Sequence, residues 1–167
     1  MSDVFWNDLD SYLVTMFDEA LGADSAYSTL KVATVNSSIF ADAHTYATWT
    51  LPAIVTAGWR ITYDANQHMG SSGRIYRKKY QCLAYGIVSG VLSSTQDTVT
   101  ANVKTLYERM EGTIRSDRFT VNTDAEKGRG ALIQYGELDV VRYPADNLDS
   151  ARRMGVAYFV FEVESTK

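Results

Sequence analysis

The residues able to do covalent chemistry are few and badly spaced. His44 and His68 stand outside HExxH and every other metal-ligand spacing, so each reads as a solvated or internally satisfied histidine. Cys82, the single cysteine, falls in the apolar half of a strand-like run and reads as a buried, inert thiol. Gly70-Ser71-Ser72-Gly73 puts serine between glycines, but Arg74 occupies the place of the last glycine in the GxSxG elbow. Gly128-Arg129-Gly130 lacks the third glycine of GxGxxG and the Lys-Ser/Thr of a P-loop, which leaves a flexible turn. Glu137 and Asp139 share one face of a strand, as a general acid and base would, although solvated carboxylates on an antiparallel sheet give the same pattern more often.

One cluster has a chemistry of binding. Arg74, Arg77, Lys78 and Lys79 are interleaved with Tyr76 and Tyr80. Cations with aromatics between them suit single-stranded nucleic acid. They equally suit an acidic neighbour at a subunit boundary, where Arg and Tyr are common anchors. The chain as a whole favours the second use. It carries 16 Lys+Arg against 20 Asp+Glu, a formal net charge of −4, whereas proteins that neutralise phosphates usually show a basic excess. No cofactor or metal is expected.

The 167 residues fit one domain, spanning 1–167, large enough to build a core without staples. A hydrophobic fraction of 46% excludes wholesale disorder, and a lone cysteine excludes a disulfide scaffold. Met1-Ser2-Asp3 has no basic n-region, and no run approaches the roughly 20 apolar residues that span a bilayer, so the chain reads as soluble, with no membrane partner.

The elements that must position these residues follow from periodicity. Residues 3–21 place Phe5, Leu9, Tyr12, Leu13, Met16, Phe17 and Ala20 on one helical face, with Ser2 to cap the start and Gly22 to end the helix in the left-handed conformation. YSTLKVATV, residues 27–35, reads as a strand. Residues 46–57 are rich in β-formers, but Pro52 argues against a central position, and after Gly58 an alternating run resumes through Tyr63. The polar stretch 64–74 then joins two strand-like runs as the projecting loop of a long hairpin. In the second of those runs Arg77, Lys79, Gln81, Leu83, Tyr85 and Ile87 face one way, and Lys78, Tyr80, Cys82, Ala84, Gly86 and Val88 the other. Its charged first half and apolar second half describe a strand that starts at a rim and enters the core.

Ser94 and Asp97 stand at capping-box spacing before a second helix, about 97–115, with Val99, Val103, Leu106, Met110 and Ile114 as its stripe. Arg115 and Arg118 suit its C-terminal dipole. After a short strand at 119–121 and a polar loop at 122–131, residues 133–143 and 156–163 read as two further strands, the last apolar enough to be central. Helices and strands do not alternate regularly. The fold class is therefore α+β, with a mostly antiparallel sheet packed by the two helices.

The succession RIYRKKYQCLAYGIVSG, SSTQDTVTANVKTLYERMEGTIR, GELDVVRYPADN and GVAYFVFEVE resembles the tail terminator, or tail completion, proteins of long-tailed bacteriophages, over residues 74–164. The resemblance implies a structural protein of the virion with no enzymatic activity. Its subunits would form a homo-oligomer, commonly a hexameric ring, on the last ring of the tail tube protein, at the head-proximal end of a tail assembled in the host cytoplasm. The ring would end tube elongation and join the tail to the neck or head-completion protein, with DNA passing through its channel unbound. On that reading Arg74, Tyr76, Arg77, Lys78, Lys79 and Tyr80 face the neighbouring subunit. Gln67, His68, Met69, Ser71, Ser72, Lys127 and Arg129 stand on docking loops for tube or neck, and Glu126, Glu137 and Asp139 line the channel. Two alternatives stand beside it: a neck or head-completion protein of the same virion, and, from a different class, a small enzyme or ligand-binding domain with a concave polar pocket.

Overall fold

The computed structural model describes residues 4–22, 31–34, 51–64, 77–116, 132–142 and 152–165. Its elements, in chain order, are helix α1 (Val4–Leu21), strands β1 (Lys31–Thr34), β2 (Ala53–Asp64) and β3 (Arg77–Val91), helix α2 (Val99–Ser116), and strands β4 (Leu132–Arg142) and β5 (Arg152–Ser165). They form one five-stranded sheet in the order β1-β2-β3-β5-β4. Four strands run antiparallel to their neighbours, and β1 joins the edge parallel to β2 through a short register from Lys31 opposite Ala53 to Thr34 opposite Thr56. The α+β class and the mainly antiparallel sheet are as the sequence pattern predicts.

Register decides which residues share a face. Tyr80, Cys82, Ala84, Gly86 and Val88 of β3 pair with residues that include Ala157, Phe159 and Phe161 of β5, and these side chains join Leu9, Leu13, Phe17, Val103, Leu106, Met110 and Ile114 in one hydrophobic cluster. Both helices thus contribute to the core on the same side of the sheet. The predicted stripe of α2 is buried along its whole length. In α1 Leu9, Leu13, Met16 and Phe17 are buried as predicted, and only at the end does the stripe differ, with Ala20 exposed and Leu21 buried instead. The approach of α2 to the sheet is close enough that β3 and β5 carry glycines beneath it. A methyl group at Gly86 would collide with Met110 and Leu106, and one at Gly155 would lie 2.5 Å from Cβ of Val103.

The turn into α2 is built differently from the predicted box. Ser93 Oγ accepts from the Gln96 N–H at 3.1 Å, and Asp97 Oδ1 accepts from the Thr100 N–H at 2.9 Å, so Asp97 is itself the cap and Ser94 takes no part. The Thr98 hydroxyl accepts from the Val91 N–H at 2.9 Å and ties the helix start to the end of β3. At the end of α2, Arg115 bonds Glu111 one turn back at 2.9 Å.

Three expectations change. Gly22 follows α1 and donates to the Asp18 carbonyl at 2.8 Å, but without left-handed backbone, because the last turn simply continues the helical bonding. Strand β2 is an interior strand, flanked by β1 and β3, despite Pro52. The cis Leu51-Pro52 bond precedes the first ladder residue, Ala53, so the missing donor costs no sheet hydrogen bond. Gly58 does not break the strand; it marks a register shift against β3 between Gly58 and Arg60. Residues 65–74 of the projecting loop 64–74, the short strand at 119–121, the loop 122–131 and Arg118 lie outside the described residues.

Candidate functional site: the open face of the sheet

The side of the sheet opposite the helices has a graded character. On β2 and β3, Val55, Ala57 and Ile87 are buried. Towards β5, Leu83, Tyr85, Val156, Tyr158 and Val160 are half-buried, and on β4 Tyr135, Glu137 and Asp139 are exposed. Antiparallel register assembles them: Tyr85 opposes Tyr158, Tyr158 opposes Glu137, and Tyr135 opposes Val160. The Tyr85 and Tyr158 rings lie 4.5 Å apart between centroids, tilted by 40°, and Tyr135 meets Tyr158 edge-on at 6.0 Å. Such offset and edge-to-face contacts are the favoured geometries of aromatic pairs.

Glu137 sits among these rings. The Tyr135 hydroxyl donates to its Oε2, and that bond is the main cause holding the Tyr135 phenol above its ordinary pKa. Burial, followed by the charge of Glu137, raises Tyr85. Burial, followed by Tyr85 and Glu137, raises Tyr158. All three rings are neutral hydroxyl donors at physiological pH, arranged around one carboxylate.

At the other end of the same face the polar groups are already matched within the chain. Lys79 Nζ lies 3.3 Å from Glu162 Oε1, and Gln134 donates to the other oxygen of Glu162 at 2.9 Å. The start of β3 runs between two acidic strand ends, with Arg77 opposite Asp64 of β2 and Lys79 opposite Glu164 of β5. Edge strand β4 carries a register shift between Ile133 and Tyr135, and Asp139 Oδ1 accepts from the Val140 N–H at 2.7 Å. A bulge, two carboxylates and an occupied amide are the devices by which an edge resists strand addition.

The predicted site residues divide accordingly. Tyr80, assigned to the subunit contact, is only 2% exposed and belongs to the core beneath the helices, so it reaches no neighbour. Its even position on β3 places it there, on the face of Cys82 and Ala84. Lys79 is half-buried, with its charge matched by Glu162. Arg77 and Lys78 lie at the start of β3, and Glu137 and Asp139 stand together on the exposed side of β4. Arg74, Tyr76, Gln67, His68, Met69, Ser71, Ser72, Glu126, Lys127 and Arg129 fall outside the described residues, as does His44. Cys82 is buried, its thiol against the Tyr80 carbonyl.

Sequence reasoning missed the tyrosines. Each had a legible face within its strand, but Tyr85, Tyr135 and Tyr158 meet only because β5 inserts between β3 and β4. Among the described residues no group of three His, Cys, Asp or Glu side chains is placed to hold a metal ion, and no helix is long and apolar enough to cross a membrane. No family model and no curated protein matches the chain.

Proposed function

We propose that the protein is a tail terminator of a long-tailed bacteriophage, a non-enzymatic virion subunit. It assembles as a ring, hexameric by the resemblance, on the head-proximal end of the tail tube. The resemblance of residues 74–164 suggests the reading, and the observation that carries it is the asymmetry of the sheet. Among the described residues one face carries both helices, and the other presents tyrosines and a carboxylate, a composition that suits a protein contact.

The mechanism is one of occupancy. A ring seated on the last tube ring covers the surface to which another would add, and its far face receives the neck protein. The ring encloses the channel through which DNA passes, and a subunit charge of −4 disfavours adhesion of the phosphate backbone. Glu137 and Asp139, both exposed on β4, and Glu126 are the channel candidates. The loops 64–74 and 122–131 are the candidates for axial docking.

The test is disruption of this coding sequence in the virus that carries it, followed by electron microscopy of the lysate. The expected outcome is tails of excess, variable length that fail to join heads. Normal tails, or a particle map without this chain at the head-proximal end of the tube, would reject the reading. A map that puts it beneath the capsid but off the tube would make it a neck protein.

A further inference from the structure

We propose that the tyrosine face of one subunit packs on the solvent side of helix α2 in a second copy of this chain. Glu137 receives the Lys104 ammonium group of that copy, and the Tyr158 hydroxyl donates to its Glu108. The inference rests on the ring reading for its head-to-tail geometry and goes further in naming both halves of the contact. It takes Glu137 out of the channel and leaves Asp139 and Glu126 there.

The acceptor half joins a charge to rings. Glu137 is exposed, one of its oxygens accepts from Tyr135, and its charge is felt by all three phenols, which stay neutral. A carboxylate beside tyrosine rings offers an ammonium group both a counter-charge and π faces. The Tyr158 hydroxyl meets no hydrogen-bond partner among the described residues, so it has a proton to give to a second acceptor.

The donor half lies on the far side of the molecule. Lys104 and Glu108 are exposed on α2, away from the stripe of Val103, Leu106 and Met110 that meets the sheet. Among the described residues neither is held in an ion pair, whereas Lys79 is matched by Glu162 and Arg115 by Glu111. Asp97 feels the charge of Lys104, but its carboxylate is already engaged by the Thr100 N–H. Beside them Ala101, Thr105 and Gly112 are exposed, and a Cβ at Gly112 would have nothing within 4 Å. That surface is low enough for the Tyr135 ring, 49% exposed, to lie against it.

The two halves match in spacing and in sign. Glu137 and Tyr158 stand directly opposite each other on β4 and β5, which sets their Cβ atoms about 4.5–5.5 Å apart. Lys104 and Glu108 are one helical turn apart on α2, about 5–6 Å between Cβ atoms. Carboxylate then meets cation, and phenol donor meets carboxylate. Within one subunit the pairs never meet, because the sheet and α2, about 10–12 Å across, stand between them. Complementary patches on opposite sides of one molecule are what a heterologous contact needs, and such contacts close into rings. Edge-to-edge pairing at β4 is opposed by its bulge and by Asp139 on the Val140 amide, which leaves the face as the surface for contact.

The experiment is sedimentation velocity on the full chain from micromolar to millimolar, in low and high salt, with thermal unfolding as a control for folding. The wild type self-associates, more weakly in high salt. Lys104→Glu and Glu137→Lys each set like charges against one another and raise the dissociation constant roughly tenfold or more. An equimolar mixture of the two variants recovers association, because contacts between unlike copies join opposite charges, and a merely damaged fold does not recover. Tyr158→Phe removes only the hydroxyl and weakens association roughly tenfold, and Glu108→Gln added to it weakens it no further. A wild type that stays monomeric throughout, variants that associate as the wild type does, or a mixture that fails to recover overturns the contact. Association indifferent to the variants leaves the ring reading standing. Conversely, recovery in the mixture, for a chain that particle maps do not find on the tail, removes that reading and keeps the contact.

Discussion

The two faces of the sheet use the same strands for opposite purposes, and neighbouring residues show how sharply they are divided. Phe159 is buried against Tyr107 at 4.5 Å between ring centroids and belongs to the core under the helices. Tyr158, one residue earlier, lies on the other side, half-buried beside Tyr85. The first face is filled by apolar side chains and by glycines that admit α2. The second grades from buried aliphatics to Tyr135, which is 49% exposed. A face that only needed solvent would be polar throughout, and a face that only needed burial would have no Glu137. On the proposed ring reading, the combination is a surface that a second protein covers.

The largest effects should come from the helix-covered face. Phe159→Ala removes a fully buried ring and is expected to cost about 3–5 kcal/mol in urea unfolding. Gly155→Leu, which forces a side chain into Val103, is expected to lower stability by about 1–3 kcal/mol or more. If either variant unfolds at the wild-type midpoint, α2 does not lie on the sheet as described.

A smaller effect has the opposite sign. Thr56 is fully buried, and its hydroxyl has no hydrogen-bond partner. Thr56→Val keeps the shape and removes the orphaned group, so it should gain about 1 kcal/mol. A loss would mean that the hydroxyl is satisfied.

On the open face, pH is the probe. The phenols of Tyr85, Tyr135 and Tyr158 are raised in the folded chain. Between the ordinary tyrosine pKa of about 10 and the folded values, the unfolded chain therefore holds fewer protons, and stability falls as pH rises through that window. Ultraviolet titration should show a late-ionising tyrosine set. Glu137→Gln should bring Tyr135 down the most, since its bond to that carboxylate is the main cause, and leave Tyr85 and Tyr158 still raised by burial. Uniform titration in both proteins would argue against the cluster.

The smallest effect concerns the cap of α2. The Thr100 N–H, bonded to Asp97, holds that carboxyl below the usual range. Its contribution is present above the ordinary aspartate pKa of about 3.9 and is lost as pH falls through the lower folded value. Asp97→Asn should keep the cap and erase this acid-side slope. A slope identical to wild type would assign it to other groups.

How much of this was legible in the sequence depends on range. The stripe of α2 and the alternation of β3 are local patterns set by one element's period, and both are read directly from residues 77–116. Pro52 argues against an interior β2 only from inside the strand, and it stands one residue before it. The cap is Asp97, three residues after Ser94 of the predicted box, next to the tie between Val91 and Thr98. Tyr85, Tyr135 and Tyr158 come together through strand order, which no window of sequence contains. The basic cluster was legible as charge. That Tyr80 faces the core and that Lys79 finds Glu162 follow from pairing with β5, some 80 residues further along the chain.

The most direct test of the division between the faces sets Tyr158→Ala beside Phe159→Ala, each followed by urea unfolding and by sedimentation velocity in low salt. Phe159→Ala should lose the larger part of the stability. Tyr158→Ala should stay folded with a much smaller loss and fail to self-associate at concentrations where the wild type does. Equal destabilisation by the two, or wild-type association by Tyr158→Ala, would contradict the account.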